Sequence, residues 1–163
     1  MGERTYPLRM VAWELTRNCN LSCVHCRASA TSGPHAGELA TEECKRIIDD
    51  ILSFSEPTVI LTGGEPLLRP DIFEIIEYGN DRGLRLVIAI NGTLLDMEKA
   101  KRLKASGIRR VSLSIDGRDK NSHDSFRGVD GSFDAVIKAS RMLKDAGLPF
   151  QVNTTVTTLN VND

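Results

Sequence analysis

Apolar positions in this chain follow two alternating rhythms. Short β-branched runs are separated by stretches in which apolar residues return every three or four places. The first run, Arg9 to Thr16, carries Val, Trp and Leu and predicts a buried strand. Arg27 to Ala40 is rich in Ser, Gly and Pro and predicts a loop. From Thr41 to Ser53, Cys44, Ile47, Ile48, Ile51 and Leu52 fall on one helical stripe, with Thr41-Glu42-Glu43 supplying an N-cap and first-turn acids. Thr58–Thr62 predicts a second strand, followed by a helix that opens at Pro70-Asp71 with Glu74 and closes at Gly83. The unit then recurs. Arg85–Ile90 is a strand before a helix capped near Asp96 and ended by Gly107, and Arg110–Ile115 is a strand before a helix from Ser132 to Ala146. Phe150–Val156 is a fifth strand. Strands alternating with helices predict an α/β fold with about five parallel strands, curled or open, and helices outside.

Composition changes this picture little. The chain has 163 residues, enough for one domain with a core, and its net charge of −1 comes from interspersed acids and bases. That balance offers no stripe for nucleic acid, and no apolar run reaches the length of a membrane span. With no signal-peptide core, the expected location is the cytoplasm, where thiols stay reduced.

The chemistry is concentrated where the strands end. Ligands of a parallel sheet gather on the loops at the carboxyl ends of its strands. Cys19, Cys23 and Cys26 follow the first strand, Gly63-Gly64-Glu65-Pro66 the second and Asn91 the third; Ser114 and Asp116 flank the end of the fourth. Singly, a Gly-Gly pair and the Asn91-Gly92 and Asp116-Gly117 dipeptides are ordinary turns. Their shared rim raises the functional reading. The C-x₃-C-x₂-C cluster reads as a metal or iron–sulfur site rather than a disulfide framework. Zinc would want four ligands, with His25 or His35 able to supply the fourth, and a ferredoxin would add a fourth thiolate. A four-iron cluster held by three thiolates would keep one iron open for a small molecule. The remaining cysteine, Cys44, reads as a half-buried hydrophobe on its helix.

Taken together, Cys19/Cys23/Cys26, Gly63-Gly64-Glu65-Pro66 and Ser114-Ile115-Asp116-Gly117 resemble the radical S-adenosylmethionine (SAM) enzymes over essentially the whole chain. The text around the cysteines, with His123-Asp124-x-x-Arg127-Gly128, looks most like the group bearing a cysteine-rich C-terminal extension of SPASM type. That group includes haem-biosynthesis and haem d1 synthesis proteins and peptide-modifying maturases. The resemblance implies a partial (βα) barrel, a [4Fe-4S] cluster on the three cysteines, SAM as co-substrate, and an electron donor such as ferredoxin or flavodoxin. The backbone of Gly63 and Gly64, with the Glu65 carboxylate, would receive the SAM ammonium, glycine being needed for close backbone approach, and Pro66 completes this cofactor-binding segment. Ser114 and Asp116 would hydrogen-bond its ribose or methionine region, Arg127 would pair with its carboxylate, His25 would contact its adenine, and Asn91 is a further cofactor-binding candidate. Asn153 and Thr155 are candidate cavity residues. The implied substrate is a tetrapyrrole, with a peptide as the alternative. The implied family core has a sixth βα unit, so residues 1–163 are expected to be a core domain cut after strand five. Its open fifth-strand edge would self-associate or leave a disordered C-terminus.

Overall fold

The computed structural model describes residues 7–163. Five strands form one parallel sheet in the order β1-β2-β3-β4-β5: Met10–Thr16, Thr58–Gly63, Arg85–Ile90, Val111–Ser114 and Phe150–Asn153. Because spatial order equals chain order, each crossover advances the sheet the same way, which is the winding of a barrel rather than of a doubly wound sheet. Helices α1 (Thr41–Phe54), α2 (Ile72–Asp81), α3 (Met97–Ala105), α4 (Lys120–Arg127) and α5 (Ser132–Asp145) fill the connections.

Alternation along the strands decides which face is packed. Val59 and Leu61 of β2, Leu86, Ile88 and Ile90 of β3, and Val111 and Leu113 of β4 are buried among Ile48, Ile75, Leu103, Val136 and Leu143 of the helices. Most alternate residues, among them Ile60, Thr62, Val87, Ala89 and Ser114, are only partly covered. A parallel sheet covered on both faces would bury nearly every residue. Here one face carries the core, and the other lines an open interior.

The structure amends several of the expected elements. Thr41 begins α1 but does not cap it. Ala40 holds the cap position, where its N–H donates to Glu43 Oε2 at 2.8 Å, and Thr41 Oγ1 instead donates to Asp71. Asp71, expected to open α2, makes no cap bond because Arg69 takes its carboxylate by Nε and Nη2, both at 2.8 Å. Arg69 also donates to the Leu15 and Leu39 carbonyls, so one buried guanidinium ties the end of β1 to the entries of α1 and α2. Helix α4 had no counterpart in the periodicity: its eight residues carry a single large apolar side chain, Phe126. Capping by Asp119 and the left-handed Gly128 set its ends.

The fifth strand stops at Asn153, and all four of its residues are exposed. The following residues do not trail away. Asn160 turns them back by donating to the Asp116 and Thr155 carbonyls and accepting from Thr157 N–H.

Candidate functional site

At the carboxyl ends of the strands lies a cavity of about 400 Å³, bordered by Cys19, Cys23 and Cys26 from the loop after β1. Gly63 and Gly64 after β2, Asn91 after β3, Ser114 on β4 and Arg127 on α4 complete its walls, with His25 and Thr155. Nine of the residues singled out by sequence therefore meet on one surface: the three thiols, His25, both glycines, Asn91, Ser114 and Arg127. Thr155 joins them, whereas Asn153 bonds to Gln151 and stays outside. Cys44 lies wholly buried in the apolar core on the helix side of the sheet.

Each thiol has its own donor. Leu21 N–H points at Cys19 Sγ at 3.5 Å, Ala30 N–H at Cys26 Sγ at 3.3 Å, and Arg127 Nη1 at Cys23 Sγ at 3.6 Å. Burial pushes the Cys19 thiol up, against the pull of the Leu21 N–H. The loop is held at two further points. The orphan carbonyls at the end of α4 accept from its backbone, Phe126 O from Val24 N–H at 3.0 Å and Arg127 O from Ser22 N–H at 3.3 Å. Asn20 donates to Thr93 Oγ1 and accepts from Asn91 Nδ2, joining the loop to the end of β3.

Glycine is required at 63 and 64 for a reason nearer than a ligand. A Cβ on Gly63, which sits at φ 134°, would lie 2.3 Å from the Thr16 carbonyl oxygen, and one on Gly64 2.3 Å from that of Asn18. Those two carbonyls accept from Gly64 and Glu65 N–H at 2.7 and 2.8 Å. The close approach that forbids side chains is thus with the end of β1 and the start of the cysteine loop.

Glu65 and Pro66 stand behind the wall instead of on it. Glu65 is fully buried, its Oε1 accepting from Leu67 N–H at 3.1 Å and its Oε2 from Asn91 N–H at 2.8 Å. Its carboxylate was expected to face a ligand ammonium; here both oxygens are engaged by backbone, so it braces the β2 loop against the β3 loop. Burial pushes its pKa up to about 7. Pro66 is buried at the first position of a one-turn 3₁₀ helix, Pro66–Leu68, where a missing N–H costs nothing.

Asp116 is likewise withdrawn, with 1 % of its surface exposed. Its Oδ1 accepts from Thr155 N–H at 2.7 Å and its Oδ2 forms an ion pair with Arg127 Nη2. His25 stacks on Phe126 with ring centroids 4.3 Å apart and lies 4.0 Å from Asp116 Oδ2. Burial and the Arg127 charge push its pKa down. His123 is buried too, its Nδ1 accepting from Asp116 N–H, which fixes that nitrogen as unprotonated. Asp124 caps α5 by accepting from Gly131 N–H, Phe133 N–H and Ser132 Oγ. The His123-Asp124 pair is thus framework. Sequence reasoning missed Asn20, Thr93, Phe126 and Asn160, whose partners lie far along the chain; the only signal for Phe126 was its place beside Arg127.

The family model for the radical SAM superfamily matches residues 13–163. An AdoMet-dependent heme synthase of Methanosarcina barkeri is 52% identical over 95% of this chain and 44% of its own length. Mycofactocin maturase MftC of Mycobacterium tuberculosis is 37% identical over 93% of the chain and 38% of its own length. The chain spans less than half the length of these curated relatives. The structure of native anSMEcpe with bound AdoMet superposes with a TM-score of 0.73 at 27% identity, covering 90% of this chain and 43% of that one. With its three-cysteine loop set against Gly63-Gly64 at the rim of a five-stranded parallel sheet, the chain belongs to the radical SAM superfamily.

Proposed function

We propose that this chain is the cluster- and SAM-binding part of an enzyme of haem biosynthesis that oxidatively decarboxylates propionate side chains of a tetrapyrrole. The observation that carries the reading is that all three thiols of one loop border the same cavity as Gly63, Gly64, Asn91, Ser114 and Arg127.

The residues present fit a [4Fe-4S] cluster. Three thiols, each met by an N–H donor, border one cavity. Two buried nitrogens at this corner, His25 Nδ1 and Arg127 Nε, have no partner among the described residues, as suits a place that a polar ligand completes. The chemistry supplied by a bound cluster is one-electron reduction of SAM, giving methionine and a 5′-deoxyadenosyl radical that takes hydrogen from the substrate.

This chain's own residues bind and orient. Gly63 and Gly64 present backbone to the cavity for the SAM ammonium, and Asn91 and Ser114 offer polar side chains on the neighbouring strands. Arg127 brings a cation for the carboxylate, and His25, backed by Phe126, presents an aromatic face for adenine. Glu65 acts from behind, holding the β2 and β3 loops at a fixed separation. The small side chains of Thr62, Ala89 and Ser114 leave the interior open for substrate.

The tetrapyrrole is preferred over a peptide because this chain is 52% identical to the heme synthase and 37% identical to the maturase over the aligned residues. The test has two readouts. Anaerobic reconstitution of Cys19→Ala, Cys23→Ala and Cys26→Ala should leave no cluster by iron and sulfide analysis, whereas Cys44→Ala should load normally; iron loss from Cys44→Ala overturns the ligand set. A full-length protein carrying this chain should form 5′-deoxyadenosine with iron-coproporphyrin III and not with a peptide. The reverse preference overturns the substrate.

A further inference from the structure

We infer that Arg127 sets the reduction potential of the bound cluster through its hydrogen bond to the Cys23 sulfur, with Asp116 limiting how much of its charge is felt there. This rests on the cluster assignment above and goes beyond it.

The three sulfurs are treated alike in number of donors but not in kind. Cys19 and Cys26 receive backbone N–H groups from Leu21 and Ala30, which are neutral dipoles fixed by the loop itself. Cys23 receives Nη1 of Arg127, a full positive charge from a helix 104 residues away in sequence. Hydrogen bonds and charge at the sulfurs are the protein's main means of moving such a potential, along with burial. A cation at a thiolate favours the more negative, reduced cluster and so raises the potential. Arg127 is 8 % exposed, so solvent screens little of this effect.

The geometry around Arg127 shows a guanidinium built into place. Its own carbonyl accepts from Ser22 N–H and the Phe126 carbonyl from Val24 N–H, so the backbones on either side of Cys23 are bonded to the helix end that carries the cation. Gly128, at φ 71°, allows that contact: a Cβ there would lie 2.4 Å from Ser22 Oγ. On its far side the guanidinium meets Asp116, whose carboxylate is fixed by Thr155 N–H and whose backbone is held by His123 and Asn160. The guanidinium is held by Nη1 and Nη2 between a sulfur and an acid, with Nε left for a ligand, so its charge stays at Cys23 and is partly offset.

Removing the cation and removing the acid should therefore shift the potential in opposite directions, which a merely structural brace would not do. The experiment is an anaerobic redox titration, followed by electron paramagnetic resonance, of the reconstituted protein and its Arg127→Gln, Arg127→Lys and Asp116→Asn variants. Asp116→Asn keeps an oxygen for Thr155 N–H. We expect a more negative midpoint in Arg127→Gln, a smaller negative shift in Arg127→Lys, and a positive shift in Asp116→Asn. Shifts of the same sign in Arg127→Gln and Asp116→Asn, or none in Asp116→Asn, overturn the inference. So does loss of the cluster from all three, which would make the pair a brace. If Arg127→Gln alone fails to load, the sign in Asp116→Asn decides. A wild-type chain that takes up no iron sinks the cluster assignment itself; a loaded wild type with unresponsive variants sinks only this inference.

Discussion

Two buried carboxylates sit at the same rim, with one strand between theirs, and are handled in opposite ways. Glu65, after β2, meets two backbone N–H groups and no cation, and burial pushes its pKa up to about 7. Asp116, after β4, meets the Arg127 guanidinium and lies 4.0 Å from His25. The difference follows from what each loop must join. The β2 loop packs against backbone on both sides, so a carboxyl there acts as a double acceptor between loops. The β4 loop faces a helix end that carries a cation toward the thiols, so a carboxylate there acts as a counter-charge. Behind one wall, then, a carboxyl joins two loops without a cation, while the other side of the cavity holds an ion pair.

The comparison breaks most visibly if Arg127 is replaced by Leu. Asp116 would then be a buried charge without its partner, at a cost of about 3–5 kcal/mol in folding free energy. Urea denaturation of the reconstituted protein measures it, and a loss under about 1 kcal/mol would mean that water or a rearranged His25 replaces the cation at little cost.

Glu65 sharpens the same contrast through pH. Its folded pKa, raised from 4.5 to about 7, means that the folded state holds the proton more tightly than the unfolded chain. The contribution is therefore fully present below pH 4.5 and is lost as pH rises through about 7. The difference amounts to about 3 kcal/mol. Comparing the pH dependence of stability for wild type and Glu65→Gln isolates this group from the other carboxyls. Wild type should lose stability relative to the variant between these limits; parallel profiles would show that Glu65 ionises as readily in the folded state as in the unfolded one.

The sequence made the scaffold readable because periodicity reports burial, and the sheet buries one face against helices. Strands β2 and β3 and helices α1, α2 and α5 were legible from Val59, Ile48, Ile75 and Val136 and their spacings. Helix α4 was not, since Phe126 is its only large apolar residue and its stability comes from caps and from the loop that it clamps. The thiols and the glycine pair were legible as motifs. What they do locally was less so: Glu65 looked like a ligand contact because its burial between two loops is a tertiary fact, and the demand for glycine at 63 and 64 comes from Thr16 and Asn18 rather than from a ligand. Arg127 was legible as a cation but not as a partner of Cys23, because 104 residues separate them.

The central claim is that Cys19, Cys23 and Cys26 hold a cluster with an iron left open to SAM beside Gly63 and Gly64. The most direct measurement is low-temperature electron paramagnetic resonance of the anaerobically reconstituted, dithionite-reduced chain, titrated with SAM. The account predicts a reduced four-iron signal whose line shape and g-values change saturably as SAM binds. A loaded, reducible cluster whose spectrum is unaltered by saturating SAM would contradict it.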